Sequence, residues 1–181
     1  MAILPCPAPV PVRLNLDRRF RPCEPRDGDE IYPNGIFEFN ISRLLVHMGA
    51  SGRFLVEFVT LDDIQYGGKN ERLNELAVIA ADLTRPVILA EIALGRYNLI
   101  DGHHRVAKAR RERVTCIPAY RIHCPEHVAF LTSKRAYEAY VQYWNSKVDD
   151  FSADNSLHQQ TQGNRAARVV RSDLKRSVRR D

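Results

Sequence analysis

The chain has 181 residues, of which 44% are hydrophobic and 27% are charged, with 27 Lys and Arg against 22 Asp and Glu. This balance is typical of one globular domain, and a chain of this length can bury a core without disulfides. No run of apolar residues approaches the roughly 18 that would span a bilayer, so we expect no membrane span. The four cysteines, Cys6, Cys23, Cys116 and Cys124, form no CxxC pair. Reduced thiols in a cytoplasmic protein are therefore expected.

Composition divides the chain into three parts. Residues 1–30 are rich in Pro, Arg and Asp and have no helical or strand period, which predicts an N-terminal arm. Residues 1–9 lack the basic and continuous apolar regions of a secretory signal, and their prolines favour an extended segment. The organised domain, with its C-terminal helices, is expected over 31–151, and a flexible basic tail over 152–181.

The apolar residues between these ends recur with either the strand period of two or the helical spacing of three and four. Asn40 is expected to cap the first helix, and Pro118 indicates that the last strand lies near a sheet edge or a bulge. The turn at 93–96 predicts a hairpin. The predicted strands are 36–40, 54–59, 86–92, 97–100 and 116–122, and the predicted helices are 41–48, 71–84, 101–111 and 134–147.

The most informative stretch is 97–105, Tyr-Asn-Leu-Ile-Asp-Gly-His-His-Arg. An apolar strand leads to Gly102, which permits close approach to the backbone, and a helix begins at once. The unpaired N–H groups and the positive dipole end of a helix start attract anions such as phosphate. His104 and Arg105 add donors, and a guanidinium can bind two phosphate oxygens. Asp101 suits a helix cap, a metal ligand or a proton acceptor.

The alternative for this stretch is purely structural. Asp101 would then cap the helix, and the two histidines and Arg105 would form a solvated first turn. Cationic side chains in a first turn oppose the helix dipole, however, so they are poorly placed for stability alone. This mismatch favours a phosphate ligand.

The same residues resemble the ParB/sulfiredoxin superfamily. The resemblance is carried by Asp101-Gly102-x-His104-Arg105, by the small inward residues of the following helix, and by 117–119, Ile-Pro-Ala, on the next strand. It runs from about Phe54 to Ile122. It implies an α+β fold with a small mixed β-sheet flanked by helices, in agreement with the predicted element order. It also implies that nucleotide phosphates bind at the helix start.

The branches of this superfamily differ at single residues. Sulfiredoxins carry Gly-Cys-His-Arg, and His103 stands where their nucleophilic cysteine would be, so sulfinic-acid reductase activity is not expected. Partition proteins carry Gly-Glu-Arg-Arg and two further domains, for which the roughly sixty residues after Ile122 are too few. The Asp-Gly-x-His-Arg form is similar to branches that act on a terminal phosphate. These include free-amino-acid kinases and plasmid-borne members with ATPase or DNase activity.

Together the chemistry and the resemblance predict a nucleotide-phosphate-binding protein that hydrolyses ATP, cleaves DNA, or does both. A non-catalytic regulator switched by nucleotide and a small-molecule kinase remain as alternatives. The kinases use a glutamate as base after their first strand, and the loop 65–70 has none. The expected cofactor is ATP, or another nucleoside triphosphate, with Mg²⁺ held by Asp101. The expected catalytic residues are Asp101, His103, His104 and Arg105, and the expected phosphate ligands are Gly102, His103, His104, Arg105, Asn70 and Arg72.

The tail 152–181 carries seven basic and three acidic residues, a difference of +4 against a net charge of +5 for the chain. Clustered arginines at three-residue steps favour DNA as partner, since phosphate contacts supply most non-specific affinity. One alternative for this tail is a disordered end that only increases solubility. For a tail that binds an acidic partner, a protein or a membrane surface is the alternative to DNA. The expected nucleic-acid ligands are Arg165, Arg168, Arg171, Lys175, Arg176, Arg179 and Arg180.

A zinc site is a weaker alternative elsewhere in the sequence. Cys124-x-x-His127 gives only half of the paired spacing that zinc ligands usually show. Cys116 and His123 lie near it along the chain. We expect Cys116 and His123 to be packing and surface residues instead.

Overall fold

A computed structural model describes residues 12–64 and 73–153. The predictions for 1–11, for Asn70 and Arg72, and for the seven basic tail residues lie outside these ranges. The described residues divide into two compact units, one of Leu14–Trp144 and one that includes 12–13 and 145–153. Within the described ranges, no helix is both long enough and apolar enough to cross a bilayer.

A four-stranded mixed sheet organises the unit Leu14–Trp144. Its strand order is β3-β6-β4-β5, in which β4 and β6 are parallel and the other neighbours antiparallel. The predicted α+β class with a small mixed sheet is therefore confirmed. The elements are β1 (Ile31–Asn34), β2 (Phe37–Asn40), α1 (Ile41–Ser51), β3 (Val56–Thr60), α2 (Glu75–Ala80), β4 (Val87–Ala93), β5 (Arg96–Asp101), α3 (His103–Arg111), β6 (Cys116–Ile122) and a helix α4 over 134–153, with 3₁₀ turns at Leu61–Asp63 and Glu126–Phe130.

The first hairpin, β1–β2, contains a strand that the periodicity did not predict. Asn34 pairs with Phe37 across the two-residue connection Gly35-Ile36, and Gly35 has φ +66°. Glycine at the first central position is typical of a tight hairpin turn, so the Asn34-Gly35 pair was the available sequence signal. The predicted cap is confirmed, because the Asn40 side chain accepts a hydrogen bond from the Arg43 N–H at 3.0 Å.

The core that supports α3 lies on one face of the sheet. Val106 and Ala109 of α3 are fully buried against apolar side chains of β3, β4, β5 and β6. The predicted hairpin at 86–100 is present as β4–β5, with Leu89 opposite Leu99. The hairpin therefore delivers the chain to the start of α3 from β5, an edge strand of the sheet.

Two predicted features are wrong. The helix predicted over 71–84 spans only Glu75–Ala80, and it buries Val78 while Leu76 and Ile79 are exposed. The Asn74 side chain caps this helix at the Leu76 and Ala77 N–H groups, which fixes its late start. Pro118 lies in β6, which is not an edge strand. Proline fits there because the ladder with β4 begins only at Ala119, so a missing N–H costs no hydrogen bond on that side.

Residues 14–30, which precede β1, form no helix or strand, yet they contact the rest of their unit. The Phe20 and Tyr137 rings stack with centroids 3.9 Å apart. The Cys23 N–H donates to the Leu131 carbonyl at 2.9 Å, and Asp29 accepts from the Asn40 amide at 2.8 Å. These contacts attach residues 17–29 to the same unit as the sheet.

Candidate functional site

Gly102 forms the corner between β5 and α3. Its φ is +100°, and a Cβ built on it would lie 2.5 Å from Val87 Cγ1, far inside van der Waals contact. Only glycine fits both constraints. Gly102 is also the N-cap residue of α3, and its carbonyl accepts the Val106 N–H at 3.0 Å. The sequence-based alternative in which Asp101 caps the helix is therefore wrong.

The start of α3 lies beside a cavity of about 550 Å³. Gly102, as the N-cap residue, has no side chain that could cap the helix, and no acidic residue lies in the first turn of α3. The cavity wall includes all of 101–105, together with the apolar residues Leu73, Ala77, Ala80 and Ala81 and the polar residues Glu30, Tyr32, Asp82 and Arg85. A volume of this size is in the usual range for a small-molecule site.

The Arg105 guanidinium makes three contacts within the protein. Its Nη2 donates to Asp101 Oδ2 at 2.7 Å, and its Nη1 donates to the carbonyls of Arg85 and Pro86. Both charged side chains are 15% exposed. Through these contacts Arg105 connects α3 to the segment before β4. They engage three of the five guanidinium donors, so two donors remain for a ligand.

His103 is buried against a residue that the sequence analysis did not select. Its Nε2 lies 2.9 Å from the Tyr32 hydroxyl, and the two rings stack with centroids 4.6 Å apart. Only 8% of His103 is exposed. One ring nitrogen of His103 is thus engaged by β1 rather than directed at a ligand.

His104 is the histidine of the pair that stays accessible. It is half-buried and lines the cavity, and no described residue hydrogen-bonds its ring. Its position in the first turn places its imidazole near the anion-attracting end of α3. Of the two predicted histidines, His104 therefore has the geometry of a ligand-contacting residue.

Two carboxylates of the cavity wall were also missed by the sequence analysis. Asp82 accepts hydrogen bonds from the Thr84 hydroxyl at 2.7 Å and from the Thr84 N–H at 2.9 Å. The Thr84 hydroxyl, more than any other neighbour, holds the pKa of Asp82 below its ordinary value. Glu30 lies in the wall just before β1. The Asp-x-Thr turn signal before Pro86 could have indicated Asp82.

The described residues contain no group of three or more His, Cys, Asp or Glu that could hold a metal ion. Two histidines of the possible zinc set make other contacts instead. His123 Nδ1 lies 2.8 Å from the Tyr97 hydroxyl, and His127 Nε2 lies 3.1 Å from the Tyr140 hydroxyl. Both histidines therefore act as hydrogen-bonding partners of tyrosines.

The geometry brings all of 101–105 to one cavity, and the His103 ring is held there against Tyr32. No family model matches the chain, and no curated protein matches it.

Proposed function

We propose that this protein binds the phosphate groups of a nucleotide in the cavity at the start of α3 and hydrolyses a phosphate bond there, as an ATPase or a DNase. One observation carries the proposal: Gly102, with no space for a side chain, is the N-cap of a nine-residue helix whose first turn lines a cavity. The N–H groups of a first helical turn and the helix dipole suit a phosphate. The resemblance to the ParB/sulfiredoxin superfamily also supports phosphate binding at this helix start.

The side chains around the helix start suit phosphate chemistry. The two donors that Arg105 retains and the nearby Arg85 offset charge on phosphate oxygens. His104 can donate to a phosphate oxygen or carry a proton. Asp82 is a carboxylate in the same wall that can orient water.

Mg²⁺ bound with a nucleotide needs only one or two protein carboxylates, since phosphates and water complete its shell. Asp101 and Asp82 line the cavity and fit this requirement, so a three-ligand cage is not needed. They would hold the ion, which neutralises charge that develops on the phosphates.

The second candidate is a regulator that binds nucleotide without hydrolysing it. It is favoured by the internal contacts of the expected catalytic groups, since Asp101 is paired with Arg105 and His103 with Tyr32. Groups held this way position the helix start but contribute less to chemistry. Phosphate release distinguishes the two candidates.

The test uses a pair of arginine variants. Arg85→Ala removes a side chain from the cavity wall, and the control Arg96→Ala removes an exposed arginine at the β4–β5 turn. In titrations of the full chain with ATP and Mg²⁺, we expect Arg85→Ala to weaken binding about tenfold and Arg96→Ala to match wild type. Equal affinity of all three proteins, or no binding by wild type, would contradict the proposal.

Catalysis is tested separately from binding. We expect wild type to release inorganic phosphate from ATP, or to cleave DNA, and His104→Ala to reduce that rate by about 10²-fold. Binding without turnover by wild type would support the regulator instead.

A further inference from the structure

The sheet has two edges, and only one is covered within the described residues. At the β5 edge, the Asn98 amide donates to Asn34 Oδ1 of the β1–β2 hairpin at 3.4 Å. At the β3 edge, the described residues add no strand beyond β3. We infer that β3 is an interface at which two copies of this chain pair edge to edge into one continuous sheet.

The side chains of β3 are unusually apolar for a free edge. Phe58 is 76% exposed and Val56 is 48% exposed, and Leu55 just before the strand is 83% exposed. Free edges are commonly protected by charged residues, prolines or bulges. The one charge in β3, Glu57, is paired with Arg121 at 2.8 Å, so it offers little repulsion to a second strand.

The register with β6 shows which backbone groups of β3 are available. Phe58 pairs with Pro118, which has no N–H, so this pair fits a non-hydrogen-bonded position of the ladder. In that position the N–H and C=O of Phe58 point away from β6. By alternation, those of Val56 and Thr60 also point toward the free edge, while Glu57 and Val59 bond to β6.

A two-fold axis at Phe58 makes this edge self-complementary. Phe58 then pairs with Phe58 of the second copy, and Val56 pairs with Thr60. All five residues of the strand take part, and Glu57 faces Val59. A shift to a two-fold axis at Glu57 would place two like charges opposite each other, which is unfavourable. Charge therefore selects the Phe58-centred register.

The size of this edge indicates a weak dimer. A phenylalanine buries on the order of 150–250 Å² of surface, so three apolar side chains per copy remain below the roughly 800 Å² of a stable interface. We expect dissociation in roughly the micromolar range.

The first experiment is sedimentation of the full chain over a range of concentrations. We expect the wild-type mass to rise from 20.7 kDa toward twice that value. We expect Phe58→Lys to raise the dissociation constant of the dimer by at least about tenfold, because the two-fold axis places the new positive charges of the two copies next to each other. The control Leu76→Lys, at a residue 77% exposed on α2, should dimerise like wild type. A wild type that remains at 20.7 kDa, or equal losses in both variants, would overturn the inference.

Hydrogen exchange of the wild type tests the same interface without a substitution. We expect the amides of Val56, Phe58 and Thr60 to become protected as concentration rises, while those of Glu57 and Val59 do not change. Protection of the first three at every concentration would mean that another part of the same chain covers the edge. That result, or no protection at all, would overturn the inference.

Discussion

The Arg105 guanidinium donates to Asp101 Oδ2 at 2.7 Å, which joins the last residue of β5 to the first turn of α3 across Gly102. Both side chains are largely shielded from water. Because each is the nearest counter-charge of the other, removal of one partner leaves a poorly solvated charge. The pair thus stabilises the corner on which the proposed site depends.

A double-mutant cycle measures this pair. We expect Arg105→Ala to lower the free energy of unfolding by about 2–4 kcal/mol, since it also removes contacts to the Arg85 and Pro86 carbonyls. Asp101→Asn should cost less, and the coupling between the two should be about 1–3 kcal/mol. Urea unfolding of the four proteins provides the values. Strictly additive losses would show that the two side chains do not interact in solution.

Gly102→Ala should be the most damaging small substitution at the site. Its φ of +100° strains any L-residue, and the new Cβ would collide with the Val87 side chain. We expect a loss of at least about 3 kcal/mol in unfolding free energy. Gly95→Ala is the matched control, because Gly95 also has a positive φ, +65°, but has open space around it. Its expected loss is about 1–2 kcal/mol, and equal losses would contradict the collision with Val87.

Tyr32→Phe separates the two contacts that Tyr32 makes with His103. The ring stack is retained and the hydrogen bond at 2.9 Å is lost, so we expect a loss of about 0.5–1.5 kcal/mol in unfolding free energy. Tyr32→Ala removes both contacts and should cost clearly more. NMR of the His103 ring protons should shift in both variants. An unchanged His103 spectrum in Tyr32→Phe would contradict the hydrogen bond.

The sequence predicted the corner of the site because its signals are local. An apolar strand, Gly102 and a change to helical spacing follow one another within 97–106, and each signal involves near neighbours. The contact between Tyr32 and His103 joins residues 71 positions apart in sequence. No periodicity encodes such a separation, so the role of Tyr32 became visible only in the fold.

Arg105 illustrates a second limit of sequence-based prediction. An arginine in a first helical turn suits a phosphate or a main-chain carbonyl equally well, because both are acceptors for the same donors. The sequence does not show that the Pro86 carbonyl lies within hydrogen-bond distance of the Arg105 guanidinium, since that distance depends on how β4 lies beside α3. Phosphate binding by the two remaining guanidinium donors of Arg105 therefore stays a prediction.

The basic residues of the tail should bind DNA through phosphate contacts. We expect the affinity of the full chain for a DNA duplex to fall steeply with salt, and the slope to decrease by roughly 3 when Arg165, Arg168 and Arg171 are changed to Ala. Fluorescence anisotropy at several salt concentrations measures both slopes. A control with Arg18, Arg19 and Arg21 changed to Ala carries the same charge change in the N-terminal segment. Equal slopes for the two triple variants would contradict a specific role for the tail.

His127 should make the protein less stable in mild acid. It is fully buried, and this burial lowers the pKa of its imidazole to about 4. The unfolded chain, in which the pKa is about 6.5, therefore binds more protons below pH 6.5. We expect the unfolding free energy to fall progressively from pH 6.5 toward pH 4, by roughly 3 kcal/mol from this residue.

The variant His127→Gln isolates this effect, because its amide can still contact the Tyr140 hydroxyl but does not titrate. The pKa values of Asp29, Glu75 and Asp82 are lowered by hydrogen bonds, chiefly from Asn40, Arg111 and Thr84 respectively. These carboxylates also reduce stability in acid, but wild type and variant share them. Urea unfolding at several pH values should thus give a steeper decline for wild type between pH 6.5 and 4. Parallel curves would mean that His127 is protonated equally readily in the folded and unfolded chains.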